Sequence, residues 1–398
     1  MLCGIILLAC CLSGCSDNDT SVNVETTVEE TTATVTESPQ ETTIVEIPAS
    51  PDSAIDDSKL KLNNLQIKNS LNEIESTLDN LLSYHKFLGA IYTTVGNDFE
   101  YLNATGIANK GAHINNSVYT RFYTGSVTKL LTAVAIMKLC EEKKLSVDDT
   151  IDKYFPNCSY ARSVTVKQLL TMTSGIPNYV KDSERYPGTK ELVSSLSGKV
   201  NSGNSFDENH SAVLNWILSQ KVSKGDDSFG YSDSNYYLLG DIIAKVSQKS
   251  YEAYIDETIF QPMYMTKSGF TSDESTAKPY GGNSGSSVLL SSGAGYSSFG
   301  LISNVSDLLK FIDGLLSYQL IGKESFADII TDQGYGYGYG AYVNENRISC
   351  IGKTDAFSAK ISFTTDKSQI FVALSNHSNS DPNFIHRLFR NYLVKFRN

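Results

Sequence analysis

The first 58 residues of this 398-residue chain contain no lysine and no arginine, yet they hold eleven acidic side chains. The whole chain has 44 acids and 33 bases, so the remainder is balanced, 33 against 33. A balanced remainder leaves no electrostatic footprint for nucleic acid, and none is expected as a partner. Cysteine is scarce beyond residue 15, where only Cys140, Cys158 and Cys350 follow Cys3, Cys10, Cys11 and Cys15. Three scattered thiols exclude a disulfide framework, and without a C-x-x-C pair they offer no zinc site. They read as small buried apolar residues. His85, His113, His210, His377 and His386 show neither metal-ligand spacing nor a link to a nucleophile elbow, so no metal and no cofactor is expected. Long apolar runs are missing too. Residues 2–12 are almost entirely apolar, but eleven residues cannot span a bilayer.

That length suits the apolar region of a signal peptide. Leu12-Ser13-Gly14-Cys15 resembles the lipobox of bacterial lipoproteins, which implies lipidation of Cys15, attachment to a membrane and an extracytoplasmic location; the segment departs from the pattern in having no basic residue ahead of it. Residues 16–57 are rich in Thr, Glu, Ser and Val, with no aromatic and no basic residue. Such a composition buries too little apolar surface to offset ordering entropy and reads as a disordered acidic tether. The organisation expected is therefore a signal segment over 1–15, a tether over 16–57 and one domain over 58–398.

Within that domain, Leu62, Leu65, Leu71, Ile74, Leu78 and Leu81 recur at helical spacing. Strands are predicted over 89–95 and 99–105, joined by a turn at Gly96-Asn97-Asp98. Helical periodicity marks 130–145, 166–172, 235–246 and 251–260. Strand patterns return over 339–343, 347–351, 358–364 and 369–375, and a last helix begins after Pro382. Strands at both ends around a helical middle predict an α+β fold: an antiparallel sheet flanked by helices, with a mainly helical subdomain inserted into it.

A serine becomes a useful nucleophile when a group one helical turn away takes its proton, and a lysine at i+3 shares the same helix face. The pattern Ser-x-x-Lys occurs four times, at Ser58–Lys61, Ser83–Lys86, Ser126–Lys129 and Ser275–Lys278. Only Ser126 opens a strongly apolar helical segment, where the dipole and free N–H groups favour a developing anion.

Around that serine, Phe122-Tyr123-Thr124-Gly125-Ser126-Val127-Thr128-Lys129 resembles the first motif of the serine β-lactamase-related, penicillin-binding family. That family includes class C β-lactamases, D-alanyl-D-alanine carboxypeptidases, D-aminopeptidases and esterases. Three more stretches resemble it in order: Val164 to Pro177 with its Thr173-Ser174-Gly175, Tyr231-Ser232-Asp233-Ser234-Asn235, and Gly352-Lys353-Thr354-Asp355. The resemblance spans about residues 85–378 and implies a β-lactamase/transpeptidase-like fold and an acyl-serine hydrolase acting on a peptide, amide or ester. It implies Ser126 as nucleophile and Lys129 as its proton partner, with Tyr231 as a phenolate-type or relay base. Lys353 would tune pKa values and hold a substrate carboxylate, beside Thr354, and the N–H groups of Ser126 and Ala356 would form the oxyanion hole. The substrate would be a small molecule or peptide of cell-wall origin.

Three positions depart from the family pattern. Met172 stands where histidine is frequent, a structural site. Asp233 replaces the asparagine of the second motif, on the substrate-binding side of the site, and its carboxylate favours charged lysines. Asp355 replaces the third-motif glycine. These changes argue against efficient β-lactam hydrolysis, and a catalytically silent, surface-anchored binding protein on the same fold is the alternative.

Overall fold

A helix that is apolar on every side has to lie inside a protein, because no face of it suits water. Residues 128–141 are such a helix, and in the computed structural model of the chain its first ten residues are all buried. The structure describes residues 65–96, 99–180, 188–198, 206–222, 228–281, 293–354 and 356–393, all within the unit Pro51–Asn398. The expected signal segment, tether and Cys15 lie outside the described residues.

The chain enters through α1 (Leu65–Tyr84), then strands β1 (Gly89–Val95), β2 (Phe99–Thr105), β3 (Ile107–Asn109), β4 (Ile114–Asn115) and β5 (Phe122–Tyr123). A helical stretch follows, with α2 (Thr128–Glu141), α3 (Val166–Leu170), α4 (Thr189–Gly198), α5 (Phe206–Ser219), α6 (Asp233–Ser247) and α7 (Tyr251–Ile255), the last running into one π turn. After α8 (Tyr296–Phe299), β6 (Ile302–Ser303), α9 (Val305–Leu316) and α10 (Lys323–Ile330), the sheet is completed by β7 (Tyr342–Asn344), β8 (Arg347–Lys353), β9 (Ser358–Thr364) and β10 (Gln369–Ser375); α11 (Pro382–Leu393) ends the described chain.

The main sheet is antiparallel throughout, in the order β2-β1-β10-β9-β8-β7. Its first two strands and its last four thus come from opposite ends of the domain, with the helices between them, as the strand–helix–strand pattern predicts. Alternation along the strands gives the sheet two apolar faces. One packs Ile91, Phe371 and Ala373 against α1 and α11 through Ile74, Leu78, Ile385 and Phe389. The other packs Val372, Leu374, Ile361 and Phe363 against the larger core that contains α2, α6 and α9.

Several predicted boundaries hold to the residue, including β1, β2, β9 and β10, and α11 starts at Pro382 itself, one residue earlier than expected. The first predicted helix of the middle starts two residues earlier, at Thr128, and stops at Glu141. The strand expected over 339–343 is shifted to Tyr342–Asn344, because Gly340 at φ +79 breaks the extended run. Helix α9 was legible but is absent from that reading: Asn304 caps Asp307 N at 2.8 Å and Val305, Leu308, Phe311, Ile312 and Leu315 form one buried stripe.

Candidate active site

Ser126 stands in a single 3₁₀ turn, Gly125–Val127, that feeds directly into α2. The turn is pinned from several sides. Thr124 N and Oγ1 both donate to Leu301 O, at 2.9 and 3.1 Å, while Thr128 Oγ1 donates to Gly125 O at 2.7 Å. Gly125 sits at φ +56 with β8 directly against it: a Cβ there would lie 3.0 Å from Lys353 N. The approach at Gly352 is closer still, since a Cβ on it would fall 1.8 Å from Thr124 O. Glycine at both positions lets the end of β8 lie along the Ser126 turn.

Lys129 follows one turn later on a helix with no solvent face, so its ammonium is carried into the interior and is fully buried. Three partners await it there, matching its three protons. It donates to Ser126 Oγ at 2.9 Å, to Asp233 Oδ1 at 2.7 Å and to the Ser298 carbonyl at 2.9 Å. Asp233 opens α6, where the helix dipole favours a carboxylate, and it is 5% exposed. Both its oxygens are engaged: Ser298 Oγ donates to Oδ1 at 3.2 Å and Asn178 Nδ2 to Oδ2 at 2.9 Å. Asp233 therefore does not stand on the substrate side, as expected from sequence, but behind Lys129. It is buried because residue 233 is the first turn of a helix packed on α2.

Tyr231, two residues before Asp233, donates its phenol proton to Ser126 Oγ at 2.9 Å. Its ring lies 5.1 Å from Lys129 Nζ and edge-on to Tyr337 at 6.3 Å. Burial raises the Tyr231 phenol above its ordinary value, against the nearby lysine that lowers it. The raised value favours the neutral phenol, the form that donates to Ser126 Oγ. For Lys129, burial pulls the pKa down, but the Asp233 carboxylate, with Tyr231 beside it, outweighs burial and lifts the value above that of a free lysine. Ser126 Oγ consequently receives two hydrogen bonds, one from a cation and one from a phenol, which stabilise negative charge on that oxygen.

The third motif closes the site from the β8 side. Lys353 is exposed, and Thr354 is buried with its hydroxyl accepting from Phe357 N at 2.9 Å. Ala356 is buried, and its N–H is directed at Thr354 Oγ1 at 3.4 Å, long for a hydrogen bond. Asp355 lies outside the described residues. Met172 adopts φ +61, and its sulfur accepts from Ser232 N at 3.4 Å and from Asn235 Nδ2 at 3.6 Å, tying the Thr171–Gly175 turn to the start of α6.

Ser298 and Asn178 complete the shell around Lys129 and Asp233, and neither was foreseen. Ser298 had no signal of its own, being one of many serines in a Ser/Gly-rich stretch, whereas Asn178 immediately follows the recognisable Thr-Ser-Gly-Ile-Pro turn. Ser58 and Lys61 lie outside the described residues, and the two described Ser-x-x-Lys pairs, Ser83–Lys86 and Ser275–Lys278, take no part. Ser275 Oγ, for example, donates to Asp273 on the surface. Among the described residues, no group of three or more His, Cys, Asp or Glu side chains is placed to hold a metal.

Comparison with known proteins bears on the family and the fold. The family profile described as Beta-lactamase matches residues 74–394. PbpX of Bacillus subtilis (strain 168), named as a penicillin-binding protein, is 28% identical over 284 residues, covering 69% of this chain and 67% of its own length. The penicillin-binding protein of Bacillus halodurans superposes with a TM-score of 0.68 at 23% identity, over 79% of this chain and 99% of that one. The D-amino acid amidase of Ochrobactrum anthropi SV3, in its complex with L-phenylalanine amide, superposes with a TM-score of 0.65 at 16% identity, over 84% of this chain and all of the other.

Proposed function

This chain belongs to the β-lactamase family of serine hydrolases, and from that premise we propose that it forms an acyl-enzyme on Ser126 with an amide, peptide or ester substrate. The observation that carries the reading is the convergence on one oxygen: Lys129 Nζ and Tyr231 Oη each stand 2.9 Å from Ser126 Oγ. Ser126 Oγ attacks the acyl carbon once Lys129 has lost a proton and can accept the serine's. Tyr231 then passes its proton to the departing amine or alcohol and regains one from Lys129. The N–H groups of Ser126 and Ala356 receive the oxyanion, that of Ala356 giving up its long contact to Thr354 Oγ1, and Lys353, exposed at the end of β8, meets a substrate carboxylate.

Because Asp233 holds Lys129 protonated, acylation and the later activation of water are both slow at neutral pH, which makes the chain a poor β-lactamase. The penicillin-binding and amidase names of its relatives favour a small amide or peptide of cell-wall origin, or an ester of similar shape. The lipobox-like Cys15 supports an extracytoplasmic, membrane-anchored site of action.

A fluorescent penicillin or fluorophosphonate probe tests the assignment. Wild type labels, Ser126→Ala does not although it stays folded, and Ser83→Ala and Ser275→Ala label normally. Labelling that survives Ser126→Ala removes Ser126 as nucleophile. Failure of wild type to label anywhere between neutral and alkaline pH makes the silent binding protein the better reading.

A further inference from the structure

Beside Tyr231 we propose a subsite for the leaving group, walled by Phe229, Tyr335 and Tyr342, that takes an aromatic ring carried by the departing amine or alcohol. The inference rests on the acyl-enzyme reading of Ser126 and names the part of the substrate that leaves.

The run Gly334-Tyr335-Gly336-Tyr337-Gly338-Tyr339-Gly340 lies between α10 and β7. Its glycines let it turn on itself, with Gly334, Gly336 and Gly340 at φ +96, +67 and +79. A carboxylate and several backbone bonds then hold it. Asp332 Oδ1 accepts from the N–H groups of Gly334, Tyr335 and Gly336 at 2.9, 2.9 and 2.8 Å. Tyr339 N donates to Ile329 O at 3.0 Å, and Val343 N to Gly336 O at 2.9 Å. Gly340 backs directly onto α2, where a Cβ on it would fall 2.6 Å from Lys129 O. The run is thereby fixed against the helix that carries Lys129.

This arrangement gathers rings around Tyr231. The Tyr337 ring lies 6.3 Å from that of Tyr231, 5.5 Å from Phe229 and 5.1 Å from Tyr342, and Phe229 lies 5.8 Å from Tyr335. Tyr337 is buried and closes the back of the wall, whereas Phe229 is half-buried and Tyr335 and Tyr342 are 49% and 41% exposed. The Tyr342 phenol stands within electrostatic reach of the reacting groups: burial raises it above its ordinary value, Tyr231 adds to the rise and Lys129 opposes it. The segment leading into Tyr231 is tied to the turn after α3, since Gly230 N donates to Met172 O at 2.8 Å. Beyond Tyr335 the surface opens into a cleft of about 740 Å³, bordered also by Thr171 and Thr173 of that turn, which leaves room for a group larger than one ring.

Contiguous, partly exposed rings beside a reacting group form a ligand surface. Tyr231 delivers its proton to the leaving atom, so that atom lies within hydrogen-bond reach of Tyr231 Oη and its substituent runs out over the rings that flank Tyr231. The acyl part stays against Ser126 and the oxyanion N–H groups. Edge-to-face packing is already the pattern of the wall, Tyr231 and Tyr342 each meeting Tyr337 at 84°. A further flat ring extends that pattern, and a saturated ring of the same size does not.

The test compares the 2-phenylethyl and 2-cyclohexylethyl esters of N-acetylglycine, which share an acyl group and leave as alcohols of similar size and acidity. Wild type cleaves the phenyl ester with a kcat/KM about fivefold higher, within the roughly two- to tenfold that an added aromatic pair supplies. Tyr335→Ala and Tyr342→Leu, both at exposed positions, each lower the ratio, and together they bring it to about one. Tyr84→Leu, which removes an exposed ring from α1, keeps it. Ser126→Ala, titrated with both esters by saturation-transfer NMR, binds the phenyl ester more tightly by the same factor. That binding preference without any cleavage by wild type leaves the subsite standing and removes the acyl-enzyme reading. Equal binding of the two esters overturns the subsite, whether or not wild type cleaves them, and so does a preference that survives in the double variant.

Discussion

Replacing Asp233 by Asn removes one negative charge 2.7 Å from Lys129 Nζ while keeping an oxygen that can accept from Lys129 and Ser298; the bond from Asn178 Nδ2 is lost unless the Asn178 amide turns over. At an effective dielectric constant of about 20, a unit pair at that separation attracts by ~6 kcal/mol. An amide oxygen recovers the hydrogen-bonded part, about 1.5–3 kcal/mol for a bond to a charged group. The remaining ~3–4.5 kcal/mol corresponds to a fall in the Lys129 pKa of about two to three pH units. Lys129 is above the ordinary lysine value in the wild type and desolvated by full burial, so the variant's lysine loses its proton much nearer neutrality. A weaker base is also a less effective one, so the net rise in acylation at pH 7 is about tenfold rather than the full change in neutral fraction. The stability cost stays small, since the lysine discharges instead of remaining as an unpaired buried ion. The assay is the second-order rate of probe acylation from pH 6 to 10 for both proteins, with Tm measured alongside. If the two profiles superimpose, Asp233 does not govern the protonation of Lys129. A variant that is slower at every pH, with an unchanged profile, would falsify the inhibitory role and make Asp233 the acceptor of a reaction proton.

Gly352→Ala places a Cβ against backbone, 1.8 Å from Thr124 O, so β8 or the nucleophile turn has to move; acylation should fall about 100-fold, with a lower Tm, and normal labelling would show that the contact between strand and turn is dispensable. His386 is held neutral down to about 3 by burial and by the cations Lys360, Arg347 and Arg390, so the unfolded chain takes up its proton first as pH falls below 6.5, and stability drops by up to about 1.4 kcal/mol per pH unit between those values. Denaturant midpoints of His386→Gln should lose that slope relative to wild type, and equal slopes refute the depressed titration. Expressed in a bacterium with its own N-terminal segment, wild type should fractionate with membranes and Cys15→Ala should not; equal distribution rejects lipidation.

The order of motifs along the chain placed Ser126, Lys129, Tyr231 and the Gly352–Ala356 segment in one family and hence in one site, because each motif carries a local signature: a nucleophile opening an apolar helix, a tyrosine leading into α6, a glycine ending a strand. The strands at the two ends were legible for an equally local reason, since alternation over seven residues is written in the segments themselves. What residue 233 does was not local. Its motif position suggested the substrate side, and only the packing of α6 on α2 turned its carboxylate inward onto Lys129. The same packing, with α8 bringing Ser298 and the turn after α3 bringing Asn178, fixes the charge state of the lysine, because that state depends on burial and on charges drawn from residues far apart in sequence. The cations beneath α11 show the same division. Arg347, Lys360 and Arg390 read singly as ordinary surface residues, and it is strand register, together with a helix laid across it, that sets like charges side by side and closes water away from one of them.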